Sequence, residues 1–134
     1  MGMTVAPFLM FEGDAEEALG LYVSAFEDAE VVEDRRFGKD GAGAEGTIEA
    51  AVLRLGEQRV RLFDSPVEHA FGFTPAVSLF VELDSAAEVD AAFEKLSAGG
   101  GVLMGLGEYP FSPHFAWIND PFGVSWQLTV KIAS

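Results

Sequence analysis

The sequence predicts an α+β fold made of two βαβββ modules, whose strands form a curved, partly closed mixed sheet with the helices outside. Two observations carry this prediction: 49% of the 134 residues are hydrophobic, and one order of strand and helix patterns occurs twice. The two occurrences span residues 5–64 and 77–132, with a connector at 65–76. One such half would expose an open sheet and is too small to stand alone, so we expect both halves to combine around a shared cleft within a single domain.

The first module begins with an apolar strand and an amphipathic helix. Val5 to Phe11 is the predicted strand, and Gly13 ends it. Asp14 with Glu17 three residues later resembles a capping box, which predicts the start of the helix. Three more strands follow, at residues 30–37, 47–55 and 58–64, and a two-residue hairpin loop joins the last two.

The second module repeats this order. A strand at residues 77–83 precedes Ser85 and Glu88, which form a second capping-box pattern. Gly99 to Gly101 end the helix, and strands follow at 102–106, 114–119 and 124–130. Asp120-Pro121-Phe122-Gly123 suits a type I turn between the last two strands.

The two modules align at a fixed offset. Ser85 follows Asp14 by 71 positions, and at this offset Glu17 falls on Glu88 and Phe8 on Leu79. Few residues are identical, so the order of the elements is the stronger sign of an internal repeat.

The chain is strongly acidic. Its 22 acidic and 8 basic residues give a formal charge of −14, which disfavours nucleic acid and anionic membranes as partners. Six of the eight basic residues fall between positions 35 and 61. They form either a solvated strand face or a cationic wall for an anionic ligand. In the hairpin of the first module, Leu55 would pair with Gln58 and therefore Arg54 with Arg59.

Composition also bounds the location. No apolar run approaches the ~18 residues of a membrane helix, and the first residues lack a basic region followed by an apolar one. We therefore expect a cytoplasmic protein. The absence of Cys excludes disulfides and zinc–thiolate sites.

Four segments carry a family resemblance: residues 7–11, 15–18, 77–82 and, most specifically, Trp-Ile-Asn-Asp-Pro-Phe-Gly-Val-Ser-Trp-Gln-Leu at 117–128. With them the chain resembles the vicinal-oxygen-chelate superfamily of glyoxalase I, bleomycin-resistance proteins and extradiol dioxygenases. Within that superfamily it looks like the PhnB-like branch, often described as 3-demethylubiquinone methyltransferase-like. The resemblance implies a glyoxalase-like fold and a side-by-side or swapped homodimer. No glycine-rich loop of the kind that would hold S-adenosylmethionine follows a strand, so the sequence gives no support to a methyltransferase activity.

The resemblance also implies a place for a metal. Enzymes of this superfamily hold a divalent cation with His and Glu from inward-facing strand positions. Those positions fall here on Pro7, Arg61, Ser78 and Gln127. None is His, Asp or Glu, so we expect no metal and no other cofactor, with a divalent metal in an atypical site as the alternative.

Strand alternation predicts which residues face the cleft. They are Leu9, Phe11, Arg59, Arg61, Phe63, Ser78, Phe80, His114, Ser125 and Gln127. In the last hairpin, a pairing of Asn119 with Val124 would place His114 on the face of Gln127. The same pairing would put Trp117 opposite Trp126 on the helix side.

Two groups are candidates for acid–base or cation chemistry. His114 is either a rim residue or a weak candidate for a catalytic acid or base, because no carboxylate is placed to orient it. Glu49 and Asp64 would pair across the first hairpin, where they could bind a cation or share a proton. Such a pair is more often found at a solvated sheet end.

These observations predict a protein that binds a small, partly aromatic or anionic molecule in its cleft without a metal. The alternative is a glyoxalase-superfamily lyase, isomerase or oxygenase with an atypical site, or a metal-free enzyme that uses His114 and Gln127. A third possibility is a structural role as a homodimer, since each half has open sheet edges.

Overall fold

Each half of the chain folds as one strand, one helix and three further strands. The computed structural model describes residues 2–131. The chain forms two compact units, a first unit, Met1–Ala70, and a second unit, Phe71–Ser134. The elements are β1 (Phe8–Phe11), α1 (Ala15–Ala25), β2 (Ala29–Arg36), β3 (Ile48–Leu55), β4 (Gln58–Asp64), β5 (Ser78–Leu83), α2 (Ala86–Ser97), β6 (Gly101–Tyr109), β7 (Ser112–Asn119) and β8 (Ser125–Val130). The predicted α+β fold of two βαβββ modules is confirmed. Ile132, the predicted end of the second module, lies outside the described residues. Neither helix has the length and apolar character that a membrane crossing requires within residues 2–131.

The first unit contains a four-stranded mixed sheet in the order β1-β4-β3-β2. β1 runs parallel to β4, and the other neighbours are antiparallel. Along β4 the side chains alternate sharply, since Val60 and Leu62 are fully buried while Arg59 and Arg61 are exposed. The buried set faces α1, because Asp64 on the same face accepts a hydrogen bond from the α1 backbone.

The second unit repeats this architecture with the order β5-β8-β7-β6. Ile118, Trp126 and Leu128 are fully buried on the face that packs against α2. Val89, Ala92 and Leu96 supply the buried stripe of the helix at spacings of three and four residues. Each unit therefore has its own core between one helix and one face of one sheet.

The two helices begin differently. Ser85 Oγ accepts a hydrogen bond from Glu88 N at 3.2 Å and donates one to Glu88 Oε1 at 3.1 Å, so Ser85 is the N-cap of α2, as predicted. The first predicted capping box is wrong, because the Asp14 side chain makes no capping hydrogen bond. The carboxylate of Asp64, at the end of β4, takes its place and accepts from Ala15 N at 3.0 Å.

The register of the last hairpin also differs from the prediction. Asn119 pairs with Ser125 rather than with Val124. Asp120 N donates to Val124 O, so Val124 closes the turn and the ladder begins one residue later. Gly123, at a φ of +94°, completes the turn in a conformation that other residues rarely adopt. This shift of one residue exchanges the two faces of β7 relative to β8.

A second one-residue difference separates the two units. Three residues, 12–14, connect β1 to α1, whereas two residues, 84–85, connect β5 to α2. The offset of 71 that aligns the helix starts therefore puts β1 out of phase with β5. Phe8 and Leu79, which that offset equates, lie on opposite faces of their sheets.

Candidate functional site

Each sheet has one face covered by its helix and one face turned away from it. We call the second kind the first open face, on β1-β4-β3-β2, and the second open face, on β5-β8-β7-β6. On β1, β3 and β4, pairing registers place seven described side chains on the first open face: Phe8, Met10, Val52, Arg54, Arg59, Arg61 and Phe63. On β2 they add Glu30, opposite Arg54, and Glu33, opposite Val52. The second open face carries Ser78, Phe80, Glu82, Phe115, Trp117, Asn119, Ser125, Gln127 and Thr129.

Three arginines cluster on the first open face. Arg54 lies directly opposite Arg59, as predicted from the hairpin between β3 and β4, and Arg61 lies opposite Val52. Arg54 is neutralised by Asp28, 2.8 Å from its Nη1, and by Glu30, 3.4 Å from its Nη2. The hydrogen bond that Arg54 donates to Asp28 is the main cause that raises the pKa of Arg54 above its usual value.

Arg59 and Arg61 differ from Arg54 in having no acidic neighbour. Both are exposed, and among residues 2–131 no carboxylate lies within 4.0 Å of either guanidinium. Like charges on neighbouring positions repel unless an anion offsets them. The first open face therefore has two uncompensated positive charges in a chain whose net charge is −14.

An aromatic pair adjoins these arginines. The rings of Phe8 and Phe63 lie 5.0 Å apart at an angle of 40°. Phe8 is next to Arg61 in the register of β1 and β4, and it is 61% exposed. A large apolar ring left so open beside a cation is an available surface for an aromatic group.

On the second open face, four neutral side chains form a hydrogen-bonded network, and the exposed carboxylate of Glu82 lies opposite Thr129. Trp117 Nε1 donates to Ser125 Oγ at 2.8 Å, and Ser125 Oγ is 2.7 Å from Ser78 Oγ. Gln127 Nε2 donates to Ser78 Oγ at a longer distance of 3.4 Å. These four side chains link β5, β7 and β8 to one another across the sheet.

Of the predicted cleft residues, seven lie on an open face: Arg59, Arg61, Phe63, Ser78, Phe80, Ser125 and Gln127. The face predicted for Leu9 and Phe11 is wrong. Leu9 pairs with Leu62 and Phe11 with Asp64, both on the helix side, because the connection from β1 to α1 is one residue longer than its counterpart. Phe8 and Met10 take the open positions instead.

The predicted face of His114 is also wrong. The register of β7 and β8 places it on the helix side with Ala116 and Ile118, where its Nε2 lies 2.6 Å from Asp90 Oδ1 of α2. A carboxylate therefore does orient this imidazole, contrary to the expectation. Trp117 lies opposite Gln127 rather than Trp126. His114 and Gln127 are thus on opposite faces and cannot form the predicted acid–base site.

Glu49 and Asp64 do not form the predicted carboxylate pair. A register irregularity in the pairing of β2 and β3 places fully buried Ile48 where Glu49 was expected, and Glu49 is exposed, 4.0 Å from Arg35 Nη1. Asp64 instead accepts hydrogen bonds from three backbone N–H groups, including Ile48 N at 2.9 Å. Its carboxylate therefore holds the start of α1 and the start of β3 in place.

The four positions implied for a metal do not suit a divalent cation. Pro7 precedes β1 and contributes only its carbonyl oxygen, which accepts from Arg61 N. Arg61 itself is a cation, and Ser78 and Gln127 are engaged in the neutral network. Imidazole and carboxylate groups are the side-chain donors that suit divalent cations such as zinc and manganese. Within residues 2–131, no group of three or more His, Asp or Glu is placed to hold a metal ion.

Sequence reasoning thus missed Phe8, Met10, Trp117 and Asp90. The first two could have been found by counting the residues between strand and helix in each module. The roles of Trp117 and Asp90 follow from the register of β7 and β8, which the turn between them sets. The sequence shows only the composition of that turn, Asp120 to Gly123, and this does not fix the register.

Comparison with known proteins extends the resemblance. The family model described as 3-demethylubiquinone-9 3-methyltransferase matches residues 3–129. The chain is 47% identical to the PhnB protein from Bacillus cereus, with a TM-score of 0.91, covering 96% of this chain and 100% of that one. Protein PA1353 from Pseudomonas aeruginosa is 26% identical with a TM-score of 0.84, covering 97% of this chain and 98% of that one. The fosfomycin resistance protein FosX from Listeria monocytogenes shares the fold at 10% identity, with a TM-score of 0.68 over 100% of this chain and 94% of that one. No curated protein matches the chain.

Proposed function

Because the chain belongs to the 3-demethylubiquinone-9 3-methyltransferase (PhnB-like) family of the glyoxalase and fosfomycin-resistance structural superfamily, we propose that it binds a small, anionic and partly aromatic molecule on its first open face, without a metal. The observation that carries this proposal is the pair Arg59 and Arg61, exposed and without an acidic partner in the described chain.

Electrostatics supports an anionic ligand. Of the other basic residues, Arg35, Arg36, Arg54 and Lys131 each have an acidic side chain within 4.0 Å. In an acidic chain, carboxylates are abundant enough to pair with most cations. Two arginines that share one strand face and lack such partners are suited to a ligand that brings the negative charge with it.

The aromatic part of the proposal follows from Phe8 and Phe63. Along β4 the open-face positions read Arg59, Arg61, Phe63, so two cations are followed by a ring at the regular spacing of a strand. Successive open-face residues are about 6.6 Å apart at the backbone, so an arginine and a phenylalanine at neighbouring open-face positions can both contact one small aromatic anion. The ring of Phe8 extends this apolar surface onto β1.

Thermal-shift and calorimetric titration test the proposal. Benzoate and phenyl phosphate should each raise the unfolding temperature and give saturable heats, whereas acetate and benzyl alcohol, which supply only one of the two features, should bind at least about tenfold more weakly. A chelator added to the protein should leave the binding unchanged.

A matched pair of variants locates the site. Arg61→Gln should lower the affinity for both aromatic anions, whereas Lys39→Gln should not, although it changes the net charge equally. Lys39 lies in the loop between β2 and β3, outside the strands that form the first open face. Equal effects of the two substitutions would mean that only the overall charge matters, and binding of benzyl alcohol as strong as that of benzoate would refute an anionic ligand.

A further inference from the structure

The first open face places Arg59 and Arg61 at alternate positions of one strand. Both project from the same side of β4, about 6.6 Å apart at the backbone, which is well within the reach of two arginine side chains toward a common point. Arg61 is flanked on one side by Val52 and on the other by Phe8, neither of which competes for its guanidinium. Two guanidinium groups can therefore converge on one acceptor group.

Arg54 does not add to this charge. Although it is directly opposite Arg59, its guanidinium already binds Asp28, Glu30 and the carbonyl oxygen of Gly56. Its two carboxylate partners offset its charge and occupy its donors. The charge available to a ligand is therefore that of Arg59 and Arg61, two positive charges in total.

Resting on the proposed function, we infer that the ligand carries a dianionic head group of the phosphate-monoester type, bound by Arg59 and Arg61, with an aryl group against Phe63 and Phe8. A single carboxylate offers two oxygens and one negative charge, which can satisfy one guanidinium in a bidentate manner. A phosphate monoester offers three oxygens and about two negative charges at neutral pH, which match two guanidinium groups. The aryl group of the ligand is inferred because Phe63 follows Arg59 and Arg61 at the open-face positions of β4.

The discriminating probes are phenyl phosphate and phenyl sulfate. Both carry a tetrahedral oxyanion on the same ring, but phenyl sulfate has one negative charge and phenyl phosphate has about two above its second pKa of about 6. By calorimetric titration at about pH 8, phenyl phosphate should bind at least about tenfold more tightly than phenyl sulfate. As the pH falls to about 5, the affinity for phenyl phosphate should approach that for phenyl sulfate, because the ligand takes up a proton.

Variants complete the test. Arg59→Gln and Arg61→Gln should each lower the affinity for phenyl phosphate about tenfold, and the preference over phenyl sulfate should disappear in the double variant. Both side chains are exposed, so each variant should unfold at the temperature of the unsubstituted protein, and Lys39→Gln should keep both the affinity and the preference.

The outcomes separate this inference from the proposed function. Equal affinities of phenyl phosphate, phenyl sulfate and benzoate, all reduced by Arg61→Gln, would overturn the dianionic head group and leave the proposed function standing. Failure of every aromatic anion to bind would overturn both. A preference for phenyl phosphate that persists in the double variant would overturn the assignment to Arg59 and Arg61.

Discussion

Asp64 accepts hydrogen bonds from backbone N–H groups of two separate segments in the first unit. Its Oδ1 accepts hydrogen bonds from Gly13 N at 2.8 Å and Ala15 N at 3.0 Å, and its Oδ2 accepts from Ile48 N at 2.9 Å. The side chain is 3% exposed, and Ala15 is the first residue of α1. A carboxylate at this position satisfies donors of the helix start and complements the helix dipole.

Replacement of Asp64 should therefore destabilise the protein strongly. Asp64→Ala leaves three backbone N–H groups without their acceptor, and hydrogen bonds to a charged group each contribute about 1.5–3 kcal/mol, so we expect the free energy of unfolding to fall by at least about 3 kcal/mol. Asp14→Ala, at the helix position where a cap was predicted, should change it by less than about 0.5 kcal/mol. Urea unfolding measures both, and similar losses for the two variants would contradict this assignment.

Asp120 has a comparable role in the second unit. Its Oδ1 accepts from Phe122 N at 2.9 Å and Val124 N at 3.0 Å, and its Oδ2 accepts from Trp126 Nε1 at 3.0 Å. The stretch with the most specific family resemblance, residues 117–128, thus contains a buried carboxylate that holds a turn and a core indole. In this stretch Asp120 therefore has a structural role. The chemistry of the second open face depends instead on alternate residues of the flanking strands β7 and β8.

At the scale of elements, the connections decided which predictions succeeded. The hairpin between β3 and β4 has a two-residue loop with Gly56 at a φ of +59°, which fixes the register, and the predicted pairing of Arg54 with Arg59 is confirmed. This is why the arginines could be placed from the sequence. The β1–α1 connection and the Asp120 turn each admit one more or one fewer residue without changing the hydrophobic pattern. Leu9, Phe11 and His114 were misplaced for that reason, because one residue exchanges the faces of a strand.

The helix starts offer a prediction at the same scale. α2 depends on Ser85, whose hydroxyl accepts from Glu88 N, whereas α1 depends on Asp64 from a distant strand. Ser85→Ala should lower the free energy of unfolding by about 1 kcal/mol, and Ser85→Asp should restore most of the loss, because Asp is an equally good N-cap. Urea unfolding followed by circular dichroism gives both values. An unchanged stability of Ser85→Ala would show that the cap is not needed.

At the scale of the whole molecule, the two modules share an architecture and differ in the chemistry of their open faces. The first carries arginines and exposed phenylalanine, and the second carries a neutral network of serine, glutamine and tryptophan. Positions that pair in the same way, such as Phe8 with Arg61 and Phe80 with Gln127, keep an aromatic residue on the first strand and change the polar partner. The duplicated scaffold thus presents two surfaces with different charged and hydrogen-bonding side chains.

The sheet edges indicate how copies of the chain would associate. β2, at the edge of the first sheet, carries five charged residues in eight, which is how proteins protect an exposed edge from pairing. β6, at the edge of the second sheet, has a single charged residue in nine, and Val102 and Leu103 are 53% and 39% exposed on it. An apolar, weakly charged edge strand of this length offers unpaired backbone groups to a second copy.

We therefore expect the chain to form a homodimer in which β6 contributes to the interface. Val102→Lys should shift the mass measured by light scattering at micromolar concentration from dimer toward monomer. A lysine opposes edge pairing because it adds a charge and because ordering its flexible side chain costs entropy. Val32→Lys on β2 is the matched control, since Val32 is 39% exposed on an edge that already carries many charges. A monomeric unsubstituted protein would refute self-association, and a dimer that is weakened by Val32→Lys and unaffected by Val102→Lys would move the interface to the first sheet.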